Sequence, residues 1–165
     1  MQIIKNTLSN ELIQSLNVFV SNNIDQPVWG CSLNSWGPDV LMGIFGAALF
    51  TEIKDDLREG LITEITPYLP PHTTLLFRLT QWLPLSGLSP HTDSDYGFAA
   101  TLYLNQNWHP GYGGIFVWKE ENEWKMLCPE HNTMVIVDNN EEHLVTPITL
   151  ATNESRISLQ IWADV

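Results

Sequence analysis

The sequence predicts a mainly β fold carried on N-terminal helices, and three observations lead there. Apolar residues recur at helical spacing only before the double proline Pro70-Pro71. Beyond it, short β-rich runs alternate with turn formers to the C-terminus. Two of those runs separate an apolar face from a more polar one. Helices followed by seven or eight short strands describe an antiparallel barrel or sandwich, braced by helices on one side. In this reading residues 1–165 form a single domain, with 1–72 as helical support and 73–165 as the β core.

Ser9 or Asn10 caps a first helix whose apolar positions are Leu12, Ile13, Leu16, Phe19 and Val20. Residues 22 to 44, rich in Asn, Pro, Gly and Trp, read as a loop. A second helix is predicted from about Ala48 to Leu69, with Ile53, Leu57, Leu61, Ile65 and Leu69 on one stripe. The prolines end it. The β-rich runs are TTLLFRLTQWL, GFAATLYLN, GGIFVW, EWKML, NTMVIVD, EHLVTPITL and SRISLQIW. In GFAATLYLN, Phe98, Ala100, Leu102 and Leu104 share one face, with Thr101 and Tyr103 opposite. In SRISLQIW, Ile157, Leu159 and Ile161 oppose Arg156, Ser158 and Gln160. Helices need an apolar face to pack on, which leaves the polar faces to line a barrel interior able to hold a polar ligand.

Composition narrows the function. A content of 44% hydrophobic residues, with seven Trp, six Phe and four Tyr, belongs to a folded globule. The formal net charge of −12 repels phosphate backbones, so no nucleic-acid partner is expected; a basic peptide or a small substrate is easier to accept. The N-terminus lacks the apolar core of a signal peptide, and no apolar stretch reaches membrane-spanning length. Cys31 and Cys128 make neither a metal knuckle nor a disulfide framework, so reduced thiols and a cytoplasmic location are expected.

The stretch SPHTDSDYG, residues 89–97, sets His91 and Asp93 two positions apart near a strand end. That spacing projects both to one side, where they can share a cation. A third ligand must come from His72, His109, His131 or His143; His143 alone begins a β-rich run, just after the strand TMVIVD. Two histidines and one carboxylate make the facial triad of non-haem Fe(II) oxygenases, which leaves positions open for other ligands. Thirteen residues beyond His143 stands Arg156, whose planar fork suits a carboxylate, and Ser158 on the same face can add a hydroxyl. Taken singly, the H-x-D pair is a common chance pattern and Arg156 an ordinary strand arginine; the combination is what points to a site.

From Arg78 onward the chain resembles the 2-oxoglutarate and Fe(II)-dependent dioxygenases, most of all their prolyl-hydroxylase branch. The resemblance runs in order through WLPLSGLSPHTD, YLNQNW, GGIF, HLVTP and RISLQIW. It implies a double-stranded β-helix, or jelly roll, as the catalytic core. It implies His91, Asp93 and His143 as iron ligands, Arg156 as the clamp for the distal carboxylate of 2-oxoglutarate, and Tyr103 as a hydrogen-bonding partner of that cosubstrate. Trp82 falls where the family often has a second pocket tyrosine, and Gln160 where some members have threonine. The implied activity is hydroxylation of a C–H bond with Fe(II), 2-oxoglutarate and O2, ascorbate being a possible stimulant, and 2-oxoglutarate leaving as succinate and carbon dioxide.

For substrate, peptidyl proline with basic flanks is expected. The same chemistry on a free amino acid or other small molecule is the alternative within enzymes, and a cupin-like binding jelly roll the alternative outside them. The tryptophan-rich loop from Trp29 to Trp36 and the GYGG turn at 111–114 are candidate lid elements, or, equally, packing elements.

Overall fold

The computed structural model describes residues 1–23, 30–33, 42–53 and 55–164. In chain order it contains β1 (Gln2–Lys5), α1 (Asn10–Asn23), β2 (Gly30–Leu33), β3 (Ala47–Glu52), α2 (Asp55–Ile65) and a 3₁₀ turn at Thr66–Tyr68. The β core follows as β4 (Thr74–Trp82), β5 (Leu88–His91), β6 (Phe98–Tyr103), β7 (Phe116–Glu120), β8 (Glu123–Leu127), β9 (Thr133–Asp138), β10 (His143–Val145) and β11 (Arg156–Asp164). A larger sheet has the order β1-β9-β6-β11-β4-β3-β2 and a smaller one β5-β10-β7-β8, with every pairing antiparallel. These curled antiparallel sheets form the expected double-stranded β-helix.

The two faces of the larger sheet do different work. On one, Phe77, Leu79, Ala100, Leu102, Met134, Ile136, Leu159 and Ile161 join Ile13 and Leu16 of α1 and Leu61 and Ile65 of α2 in a single apolar core. Each such fully buried Leu or Ile contributes about 1.5–3 kcal/mol of transfer free energy. Because strand side chains alternate, the neighbours of these residues must face the other way, toward the smaller sheet. There Trp82, Tyr103, Val135 and Val137 meet Phe116, Trp118 and Val145 in a second core. The helices therefore brace one face and the ligand cavity opens on the other, as the alternation predicts.

Ser9 is the helix cap: its hydroxyl accepts from the Leu12 N–H at 3.2 Å. Glu64 of α2 in turn accepts from the Ser9 hydroxyl and backbone N–H, each at 2.6 Å, which ties the two helices together.

Four expectations need correction. The second helix does not begin near Ala48; Ala47–Glu52 is strand, paired with β2 and β4, and the helix starts at Asp55. The loop predicted for 22–44 contains β2. The first strand, β1, pairs with β9 in a region read as helical support, so that region also supplies three strands. The run EHLVTPITL is strand only to Val145, since Pro147 cannot donate to a ladder. Trp29 and Trp36 lie outside the described residues. Among those described, no helix is long and apolar enough to cross a membrane.

Candidate active site

Strand pairing brings the predicted metal residues together. His143 opens β10 directly opposite His91 at the end of β5, and their ring centroids are 4.3 Å apart. Pro90 is tolerated beside His91 because β5 lies at the edge of the smaller sheet. Asp93 follows in a turn closed by the Tyr96 N–H, which donates to the Asp93 carbonyl at 3.0 Å. One ligand atom from each of His91, Asp93 and His143 lies within 4.8 Å of the others.

Backbone carbonyls orient both rings. Nδ1 of His91 donates to Ser89 O at 2.7 Å and Nδ1 of His143 to Glu141 O at 2.9 Å. Each proton is thereby fixed on Nδ1, and each Nε2 lone pair is left to a ligand. His143 Nε2 stands 3.5 Å from Asp93 Oδ2. Two ligands at ~2.1 Å from one octahedral ion stand about 3 Å apart, so a small inward movement seats a cation between them. Burial, and next the neighbouring His91, hold the His143 imidazolium below the ordinary histidine range. The neutral, ligating form is thus favoured.

The other three histidines are used locally. His72 bonds the Pro70 carbonyl, His109 accepts from the Gly111 N–H, and His131 bonds the Leu104 carbonyl at 3.0 Å.

A cavity of about 820 Å³, open mouth included, has His91, Asp93, His143 and Arg156 together in its wall. Arg156 is wholly buried at the start of β11, in register with Trp82 of β4. Its guanidinium carbon lies 5.0 Å from the Trp82 ring centroid and 5.2 Å from that of Tyr103. Among the described residues its Nε and Nη1 and the Tyr103 hydroxyl are buried without a hydrogen-bond partner. Burial lowers the arginine's affinity for its proton and pushes the Tyr103 phenol up to about 12, an effect the nearby guanidinium only partly offsets. Both groups therefore stay donors. Orphaned buried donors cost free energy until an acceptor arrives, and a carboxylate fits this pair.

Trp82 lines the same cavity as Arg156, and Ser158 lies behind it. Ser158, in register with Tyr103, is fully buried; its hydroxyl accepts from Trp82 Nε1 at 3.3 Å and from Gln160 Nε2 at 3.2 Å. Gln160 Oε1 accepts from the Thr101 hydroxyl at 2.9 Å. This ladder fixes the Trp82 ring against Arg156.

Two contributors escaped the sequence reading. Gly114, treated there as part of a turn, has φ +63°, and a Cβ on it would come 2.7 Å from Arg156 Cδ. It supports the arginine stem, and Gly113 beside it packs on the Pro147 carbonyl. The second is Arg78, which also lines the cavity. Its only signal was membership of the face of β4 that carries Thr80 and Trp82.

No curated protein sequence matches the chain. Among solved structures, a prolyl hydroxylase from Trichoplax adhaerens, in complex with a hypoxia inducible factor oxygen degradation domain peptide fragment, superposes with a TM-score of 0.80 at 17% identity, over 99% of this chain and 82% of that one. A prolyl-4-hydroxylase from Pseudomonas putida gives 0.77 at 15% identity, over 99% and 91%. A viral collagen prolyl hydroxylase from Paramecium Bursaria Chlorella virus-1, in complex with 2-oxoglutarate, gives 0.63 at 14% identity, over 98% and 95%. At such identities the likeness is one of fold. The family itself is shown by sequence: the profile of the 2OG-Fe(II) oxygenase superfamily matches residues 77–164, just over half of the molecule. With that match covering the strands that carry the histidine-aspartate cluster and the buried arginine, the chain belongs to the 2OG-Fe(II) oxygenase superfamily.

Proposed function

We propose that the protein hydroxylates proline in a peptide, with Fe(II) held by His91, Asp93 and His143 and 2-oxoglutarate clamped by Arg156. The observation that carries the reading is one cavity with two complementary ends of chemistry. A two-histidine, one-carboxylate donor set shares its wall with an unpartnered buried guanidinium. When bound, iron and 2-oxoglutarate supply the activation of dioxygen, one oxygen atom going to succinate and the other to the substrate. The chain's own part is placement. The Ser89 and Glu141 carbonyls aim the imidazoles. Arg156, with Tyr103 beside it, would donate to the distal carboxylate, and Phe116, 5.4 Å from the His143 ring, helps keep water from the metal end. Proline as substrate is supported by the fold shared with prolyl hydroxylases and by the aromatic lining of the cavity. Proline peptides and free amino acids offered side by side with Fe(II), ascorbate and 2-oxoglutarate test this by mass spectrometry. A one-oxygen gain on peptide proline is expected; coupled turnover on a free small molecule, with none on any peptide, would overturn it.

The support under Arg156 gives a second test. In Gly114→Ala the left-handed backbone costs about 1–2 kcal/mol of stability, and the added methyl displaces the arginine stem. Urea unfolding should shift by that amount, and the 2-oxoglutarate requirement should rise about tenfold. An unchanged cosubstrate requirement would mean that the stem moves without consequence.

A further inference from the structure

Arg78 is a second guanidinium in the cavity, and the roles given so far leave it without a partner. It alternates with Thr80 and Trp82 on the cavity face of β4 and is half-buried. Its guanidinium carbon lies 4.6 Å from the Phe50 ring centroid and 5.6 Å from that of Trp162, so two aromatic walls hold it. Its Nε is buried without a hydrogen-bond partner among the described residues. Glu52 stands opposite in register, yet among the described residues Arg78 has no carboxylate within 4 Å. The neighbouring polar side chains Thr101, Gln160, Ser158 and Trp82 satisfy one another, and Arg78 does not join them.

The cosubstrate cannot account for both arginines. Arg156 is in register with Trp82 and Arg78 with Gln160, four residues further along the same ladder. Four strand residues span about 13 Å. The five-carbon chain of 2-oxoglutarate is about 5 Å long, from carbon bonds near 1.5 Å. With its distal carboxylate on Arg156 and its other carboxylate and keto oxygen at the metal ligands, it has no carboxylate left for Arg78.

We propose that Arg78 binds a carboxylate of the substrate, so that the molecule hydroxylated carries an anion beside the group that is oxidised. This deepens the hydroxylase reading and rests on it. The anion is either a terminal α-carboxylate or an acidic side chain next to the reacting residue. A planar guanidinium stacked between two rings, with one edge unpaired and the cavity before it, is a bidentate carboxylate receptor. The net charge of −12 repels anions at long range, so a carboxylate is held there only through this local contact.

The test uses the protein loaded with Fe(II) and saturating 2-oxoglutarate without oxygen, and binding is read by calorimetry. Three probe pairs are compared: N-acetylproline with N-acetylprolinamide, N-acetyl-prolyl-aspartamide with its asparagine counterpart, and benzoate with benzamide. The acid of at least one pair should bind about 10- to 100-fold more tightly than its neutral partner, as expected of a charged hydrogen bond. Which pair responds separates a terminal carboxylate from an acidic side chain. Arg78→Gln should abolish the preference, Arg78→Lys should retain part of it, and both should bind 2-oxoglutarate within twofold of the unaltered protein. No preference in any pair, a preference that survives in Arg78→Gln, or a loss falling on 2-oxoglutarate instead would each overturn the assignment. Failure of the unaltered protein to bind 2-oxoglutarate would instead overturn the cosubstrate reading on which the proposal rests.

Discussion

Replacing Asp93 by alanine should abolish turnover and weaken Fe(II) binding by more than about 100-fold. His91→Ala and His143→Ala should do the same. Even the partners of metal ligands cost 10- to 100-fold in affinity when removed, so a ligand itself must cost more. The three side chains come from the end of β5, the turn after it and the start of β10, and no other described group converges with them. His131→Ala should leave both quantities nearly intact, because that ring bonds the Leu104 carbonyl and is committed there. Calorimetric titration with Fe(II) under anaerobic conditions, alongside circular dichroism to establish folding, checks all four variants. Equal loss in His131→Ala would mean that the wrong distal histidine was chosen. A pH series adds a signed expectation. Burial and His91 hold His143 below its ordinary range, so its neutral form persists as pH falls past the free-imidazole value of about 6.5. Protonation of His143 should therefore weaken iron binding only at pH below that value.

Strand alternation made the larger part of this architecture legible before any coordinates. Phe98, Ala100 and Leu102 on β6 and Ile157, Leu159 and Ile161 on β11 told which face the helices cover, and hence that Arg156 faces inward. Three elements stayed hidden for identifiable reasons. The strand β5 contains Pro90 among turn formers, and only its edge position makes such a strand possible. The segment Ala47–Glu52 is compatible with the helical stripe that continues at Ile53, but pairing with β2 and β4 seats Ala48 and Phe50 in the cavity and overrides it. Four residues of β1 carry too little periodicity to register, although β9 organises them. In the site, spacing could suggest His91 and Asp93, whereas their meeting with His143 depends on a register between strands about fifty residues apart. Arg78 was invisible as a functional group because nothing along the chain distinguishes a cavity arginine from a solvated one. Its surroundings, Phe50 and Trp162, come from other strands.

Arg156→Met should separate cosubstrate binding from folding. In the ligand-free protein the guanidinium is fully buried, has Nε and Nη1 unpartnered, and has no carboxylate within 4 Å among the described residues. Its compensation there is the faces of Trp82 and Tyr103, worth about 0.5–2 kcal/mol each. A buried charge without its counter-ion is a net cost, and an apolar side chain of similar length removes it. The thermal midpoint of Arg156→Met without ligand should therefore equal or exceed that of the unaltered protein. With 2-oxoglutarate the order reverses. The distal carboxylate now meets a buried surface lacking its charged partner, a loss of about 3–5 kcal/mol, or roughly 10²- to 10⁴-fold in affinity. The rise in midpoint that the cosubstrate gives the unaltered protein should vanish, while Fe(II) titration remains close to normal because the three metal ligands lie on other strands. Differential scanning calorimetry with and without 2-oxoglutarate reads both halves. A large fall in the ligand-free midpoint would show Arg156 to be a packing residue held by its aromatic neighbours. An undiminished response to 2-oxoglutarate would remove it from the cosubstrate site.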